Sequence, residues 1–468
     1  MLPRWRVPSW FQAPPEPARP VPSEVLGYVA LESADPHARA DALAVVNLNP
    51  GSRGFGRQIW QLDMPGRADG LDRLIWAPGV VTARDGGQAK RGWRHLVAPA
   101  TGSSRIYVVD TVPCSLRPAL ARTIDSTTLA ADAGLARPFA VQAAPDAVYL
   151  TALGDAAGER PGGLVWLDPG SFEIAGAWTA PGGQAPAGAC EFGWHLAHEA
   201  MIGSAWPSGS SAAREWQPDR LLEGGAGQTL HAWDRVTRRH LQQLPMGDER
   251  HWLRAPRPAH DQSRPYGFVA AMASLDTLSA AIWLWYLDGS NGDPRWRARK
   301  VVEIAADPAP HEALPSWLAG VGAAPPLVTD LCLSTDDRFL YVSCWGTGEV
   351  RQYDVSDPWA PHLTGAVRLG GIARRTGHPS QPTRPLGGGP QSMALSRDGR
   401  RLYVTNSLGP AWDEACHPDG FTGWMARLEV DPRCGLRIDE RFFVEFAGYH
   451  PKQIRLSGGD ASVAGQPD

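Results

Sequence analysis

Cysteine is scarce and unpatterned in this chain of 468 residues. The six present are Cys114, Cys190, Cys332, Cys344, Cys416 and Cys434, and no two form a C-x-x-C pair. Their spacing fits neither a zinc site nor a compact disulfide framework. Cys332 and Cys344, in or beside strand-like runs, read as small buried hydrophobes. No apolar run approaches the roughly 18 residues that mark a membrane-spanning helix, so no span is expected. Charge of one sign is also missing: 45 basic residues face 49 acidic ones, for a formal net charge of −4. Without a basic stripe, nucleic acid is not an expected partner. The N-terminus carries Arg4 and Arg6, but Pro3, Pro8, Pro14, Pro15, Pro17 and Pro20 replace the apolar core of a secretory signal. A cytoplasmic location is the expectation, with periplasmic export by a route lacking a readable signal left open. Gly51–Gly56 is glycine-rich but matches neither G-x-G-x-x-G nor a Walker loop, and reads as a turn. No G-x-S-x-G elbow occurs, so a serine hydrolase has no support.

What the chain has instead is punctuation and bulk: 51 Gly, 43 Pro and 20 Trp. Gly and Pro mark turns between short strands. Trp supplies large packing surfaces with one N–H to satisfy. Hydrophobic residues make up 43% of the chain and are spread along it, which argues against disorder. Leu333 to Ser343 reads as strand, acidic turn, strand. The run from Leu395 to Thr405 repeats it in register, 62 residues on. Strand–turn–strand units at that distance point to the blades of a β-propeller, with a usual period of roughly 40 to 50 residues before inserts. The expected fold is all-β. A leader over 1–22 is expected to be disordered, the propeller to span 23–456, and the tail over 457–468 to be mobile.

Further strand-like runs include Ala42–Leu48, Ser104–Asp110, Ala147–Ala152, Gly162–Asp168, Phe172–Trp178, Leu230–Asp234, Gly267–Met272, Ile282–Leu287 and Val350–Val355. They are short, rich in aromatic and β-branched residues, and bounded by Gly, Pro, Asp or Ser. Asp110, Asp168, Asp234 and Asp354 each follow a hydrophobic residue at a strand end, where a carboxylate can accept backbone N–H groups of the next turn. We read them as structural. A ring of blades makes a central channel with loops gathered at one mouth, the expected place for binding or catalysis. Gly387–Gly389 reads as a loop that approaches this channel closely. His195 and His198 form an H-x-x-H pair, but in a strand a three-residue offset sends the two rings to opposite faces.

By these residues the chain resembles the selenium-binding proteins, a family that includes the copper-dependent methanethiol oxidases. The resemblance covers roughly residues 23 to 460. Its most specific pieces are Ser103–Asp110, Ala180–Pro186, Thr329–Tyr341, Arg351–Pro358 and Gly388–Met393. It implies a seven-bladed β-propeller. It also implies a histidine-rich copper centre over the channel, since imidazole suits copper. The family's oxidases convert methanethiol and oxygen to formaldehyde, hydrogen sulfide and hydrogen peroxide.

The chain departs from that pattern at the centre. Met64-Pro65 and Trp76 match the family's His-His-Ser-Gly-Trp region, but its two histidine positions are Asp72 and Arg73. The Cys-x-x-Cys tied to selenium binding becomes Gly79 and Thr82. The His-Thr-Ser-His before Leu153-Gly154-Asp155 becomes Pro138 and Val141 at its histidines. The C-terminal Ala-His-Glu becomes Pro451-Lys452-Gln453, with Arg455 and Gly458-Gly459-Asp460 kept. His198 and His260 do match, and are the candidate metal residues. Two readings follow. The first is a divergent member with lost or altered copper chemistry, binding a small thiol, another small molecule or a protein partner at the channel mouth. The second is a methanethiol oxidase, an oxidoreductase of sulfur metabolism, with copper on His198, His260 and ligands not identified. Asp72, Arg73 and Lys452 are expected to form a structural ion-paired cluster or a small-anion site.

Overall fold

In the computed structural model, residues 24–78, 80–81, 90–91, 93–158, 161–178, 189–205, 218, 229–247, 251–274, 276–289, 292–431 and 435–461 are described. Seven four-stranded antiparallel sheets form the blades of a closed β-propeller. Blade 1 joins Leu26–Ser33, Ala42–Asn47 and Arg57–Asp63 to the C-terminal strand Tyr449–Leu456. Blades 2 to 7 take their strands in chain order. Their inner strands are Ile75–Trp76, Leu135–Ala144, Ala189–His195, His251–Pro258, Val328–Leu333 and Ser392–Leu395. The ring therefore closes by pairing the two ends of the propeller, with Gly27 opposite Leu456 and Leu31 opposite Pro451. No helix among the described residues is long and apolar enough to cross a membrane.

The core lies between blades rather than inside one layer. Each neighbouring pair shares an apolar cluster. Tyr28, Val45, Trp76 and Tyr107 fill the space between blades 1 and 2. Val29, Tyr403, Met425 and Ile454 fill that between blades 7 and 1. Every blade is thus covered on both faces, which explains strands such as Val328–Leu333 and Phe339–Cys344 that are buried along their whole length. A further cluster holds Trp252, Leu318, Trp345, Leu408 and Trp412. It caps blades 5 to 7 at the end where the inner strands begin, and includes the short helix Pro410–Cys416.

The repeat is visible as geometry. Val328–Leu333 with Phe339–Cys344, and Ser392–Leu395 with Arg401–Thr405, are the first two strands of blades 6 and 7. Their turns match: Ser334 N–H bonds the Phe339 carbonyl and Ser396 N–H bonds the Arg401 carbonyl. The Oγ of each serine donates to an aspartate two residues on, Asp336 or Asp398. The strand-end aspartates act as expected, Asp110 accepting the Val112 N–H, Asp168 that of Gly170, Asp234 that of Val236 and Asp354 that of Ser356. Hydroxyls also stitch one blade to the next inner strand. Thr101 donates to the Pro138 carbonyl at 2.7 Å and Thr405 to that of Lys452 at 2.6 Å. At the C-terminus, Ser457 Oγ accepts the Leu26 N–H and the Ala461 N–H bonds the Leu395 carbonyl, so residues 457–461 stay on the ring. The leader 1–22 and the tail beyond Ala461 lie outside the described residues.

Close packing between strands leaves some backbone positions no room for a side chain. A Cβ at Gly267 would stand 2.2 Å from the Trp285 ring and 2.3 Å from the Arg257 carbonyl oxygen. Trp285 itself is fully buried in the cluster between blades 4 and 5, and its Nε1–H donates to the Phe268 carbonyl at 3.3 Å. Trp285→Ala is expected to cost about 3–5 kcal/mol through lost contacts and the cavity left. Urea unfolding followed by circular dichroism measures this. A loss under about 1 kcal/mol would contradict the packing described, since deep core truncations rarely cost so little.

Candidate channel site

The inner strands run in the same direction around the ring, which sets two ends of the channel. Glu191 of blade 4 sits beside Arg254 and Ala255 of blade 5, and Asp330 of blade 6 beside Arg257 of blade 5. Further along, His195 meets the Arg264 carbonyl and His260 approaches the Leu333 carbonyl. His195, His260 and Leu333 mark the end where the inner strands finish. Asp72, Arg73 and Lys452 belong to the half where they start.

Glu191 organises the centre. Arg73 reaches past blade 3 to place its Nη2 2.5 Å from Glu191 Oε1, and Arg254 Nη2 is 2.8 Å from the same oxygen. The Ala255 N–H donates to Oε2 at 2.5 Å. Arg73 Nε also faces Asp72 at 3.2 Å, and its guanidinium lies over the Phe139 ring at 5.4 Å. Glu191 is 4% exposed and Arg254 3%, so these charges have left water and need each other. Burial alone would raise the Glu191 pKa, but Arg254, Arg73 and the Ala255 N–H outweigh it and hold the carboxyl at about 2.

A second pair lies next to it. Arg257 bonds Asp330 at 2.7 Å and the Leu331 carbonyl at 2.8 Å, while Asp330 accepts the Met393 N–H at 2.9 Å. Arg455, from the closing strand, donates from Nε to the Leu74 carbonyl at 2.8 Å and faces Asp460 at 3.8 Å. Burial lowers its pKa. Gln453 accepts the Leu74 N–H at 2.7 Å and gives its own N–H to the Asp72 carbonyl at 3.2 Å. Lys452 is buried with its Nζ 2.9 Å from Glu32. Burial opposes its charge, but Glu32, Asp72 and Asp413 more than compensate and raise its pKa.

The structure thus brings Asp72, Arg73, Lys452 and Gln453 together. Pro138 lends its carbonyl to Thr101, and Val141 packs in the apolar cluster between blades 2 and 3. Gly79 and Thr82 lie outside the described residues. His198 and His260 stand apart from this group, at the far end of the inner strands. His260 gives its backbone N–H to Asp337 at 2.8 Å, and its ring Nε2 is 3.4 Å from the Leu333 carbonyl. His198 is exposed on the 3-10 turn Leu196–His198. Its ring meets that of His195 edge-on at 4.8 Å. The expected divergence of these two rings is therefore corrected: the strand ends at His195, and the turn brings the rings together. Among the described residues, no group of three or more His, Cys, Asp or Glu is arranged to hold a metal ion.

Sequence reasoning missed Glu191, Arg254 and Arg257. A signal was present: Glu191 stands in the otherwise uncharged strand Ala189–His195, and two arginines interrupt the strand from His251 to Pro258. A lone charge in a buried strand requires a partner.

A closed ring of seven blades around an ion-paired channel places the molecule among the β-propellers whose centre is polar rather than packed with apolar groups. Comparison with known proteins narrows this. The profile of the 56kDa selenium binding protein (SBP56) family matches residues 6–464, and the chain belongs to that family. It is 34% identical over 447 residues to a methanethiol oxidase of Homo sapiens, covering 90% of each chain. It is 33% identical over 435 residues to that of Danio rerio, covering 91% of this chain and 90% of the other. A solved structure of a hypothetical selenium-binding protein from Sulfolobus tokodaii superposes with a TM-score of 0.86 at 39% identity, over 96% of this chain and 97% of that one.

Glu191→Gln is expected to cost about 3–5 kcal/mol, because it leaves Arg73 and Arg254 buried without their counter-charge. The pH dependence has a definite sign. The folded pKa of Glu191, about 2, lies below its ordinary 4.5. Its contribution is complete above the ordinary value and is lost as pH falls toward the folded one. Wild-type stability should fall more steeply than that of E191Q across this acid range, as read by urea unfolding. Parallel curves would contradict the ion-pair assignment.

Proposed function

We propose that this chain is a divergent selenium-binding-type propeller that binds a small polar molecule in its channel, with the family's copper chemistry lost or altered. One observation carries the reading. Positions where the resemblance expects histidine hold Arg73 and Lys452, and both are engaged in buried ion pairs, with Glu191 and with Glu32. A cation placed there would face an ammonium and a guanidinium. Pro138 and Val141 offer no donor side chain. The described residues do not fit copper, which prefers imidazole, thiolate or thioether donors: no group of three or more His, Cys, Asp or Glu among them is arranged to hold a metal ion. Arg73, Arg254, Arg257 and Arg455 line the centre, each facing a carboxylate, so the channel is polar while its charges are balanced, which suits a small polar ligand. Relatives named methanethiol oxidase support a small sulfur compound, a thiol, as that ligand's class.

The alternative is a copper-dependent methanethiol oxidase, favoured by 34% identity in an alignment that covers 90% of the human relative. Hydrogen peroxide release and oxygen uptake on methanethiol, after copper loading, decide between them. The expected result is no turnover above that of copper in buffer. Sustained peroxide and sulfide release, abolished in a His198→Ala/His260→Ala double variant, would overturn the proposal and establish the oxidase with those histidines as metal residues.

A further inference from the structure

Two residues before Lys452 on the closing strand, His450 forms a polar centre that no motif above includes. Its Nδ1 lies 2.7 Å from Asp413 Oδ2. Asp413 is fully buried in the helix Pro410–Cys416, and also accepts Ser407 Oγ–H at 2.5 Å and the Leu408 N–H at 3.1 Å. A carboxylate offers only acceptor sites, so Nδ1 must carry the hydrogen of the His450 bond. In neutral His450 the lone pair is then on Nε2, at the edge of the ring away from Asp413. The His450 side chain is 9% exposed, so the ring is not sealed off. Phe421 lies flat against one face, with centroids 4.9 Å apart and planes 14° off parallel.

The neighbouring groups separate this histidine from the others. His417, 6.3 Å beyond Phe421, spends its Nε2 lone pair on the Gly388 N–H, and burial with Arg375 pushes its pKa down to about 3. It stays neutral and occupied. Ser407 bonds the carboxylate and not the imidazole, so no serine nucleophile is formed. Lys452 is held by Glu32 and also feels Asp413, so that carboxylate faces a permanent cation on one side and an imidazole on the other.

We propose that His450, oriented by Asp413, is the acid–base residue of this site, and that it takes the proton of a small thiol and holds the thiolate as an ion pair. The S–H bond breaks, the electron pair stays on sulfur, and the proton forms an N–H bond at Nε2. No oxidant or reductant is involved. The imidazolium so formed keeps its Nδ1–H on Asp413, the arrangement by which an adjacent histidine activates a thiol. Asp413 is a positioning residue: it fixes which nitrogen is free. The proposal rests on the reading that the channel's ligand is a small thiol.

The test is anaerobic titration of full-length protein with methanethiol at neutral pH, following thiolate absorbance in the ultraviolet and total binding by calorimetry. Wild type is expected to bind methanethiol as thiolate. His450→Gln, checked for folding by circular dichroism, should bind it more weakly, with the thiolate fraction of the bound ligand down at least ~10-fold, one pKa unit. Asp413→Asn should behave alike, because an amide can donate to Nδ1 and return the hydrogen to Nε2; it carries the test if H450Q does not fold. Binding as neutral thiol in wild type, or thiolate retained in both variants, would overturn the role of His450 and leave small-thiol binding standing. No binding by wild type would overturn the small-thiol reading and this inference with it.

Discussion

The closing strand Tyr449–Leu456 is the element on which the rest depends. By pairing with Leu26–Ser33 it turns seven sheets into a ring and gives every blade two covered faces. It also carries His450, Lys452, Gln453 and Arg455 into contact with segments almost the whole chain away. Gln453 and Arg455 bond Leu74, and Lys452 bonds Glu32. Closure and site assembly are therefore one event. A ring opened at this seam would lose an inner strand and, with it, the partners of Glu32 and Leu74. Such non-local pairing is costly in chain entropy before it is rewarded, which ties the site to the completed fold.

Once closed, the channel becomes a problem of charge. Guanidinium and ammonium groups removed from water need carboxylates at hydrogen-bond distance, and here Glu191, Asp330 and Glu32 supply them. Exposed ion pairs are worth little, but breaking a buried one leaves an uncompensated charge. The centre is therefore a set of coupled residues. Arg73 implies Glu191, Glu191 implies Arg254, and Lys452 implies Glu32. A buried Arg or Lys in the channel without such a partner would be unstable, and Arg73 and Lys452 each have one.

Much of the fold was legible because its signals are local. The turn after Leu333 and its copy after Leu395 share serine, aspartate and spacing, and both fold as the same hairpin. The strand-end aspartates each cap the turn that follows. Asp72, Arg73 and Lys452 read as a charged cluster in the sequence; Arg73 pairs with Asp72 and Glu191, while the ion pair of Lys452 is with Glu32. What stayed hidden was non-local or conformational. Nothing near Arg73 in sequence points to Glu191, which lies two blades away. His450 and Asp413 meet only because the excursion 406–422 folds back over the closing strand. The pairing of His195 with His198 depended on a strand ending one turn early, a boundary that periodicity does not fix. His198 and His260, expected as metal residues, stand at the opposite end of the inner strands from Arg73 and Lys452.

Buried ion pairs occupy the middle of this propeller, and the proposed reading is that no copper joins them. Metal content decides this, by mass spectrometry on protein made in copper-supplemented cells and dialysed without chelator. No stoichiometric metal is expected, with the same trace content in a His198→Ala/His260→Ala variant. About one copper ion per chain, lost in that variant, would show a rebuilt imidazole site of the kind copper prefers and would overturn the proposed reading.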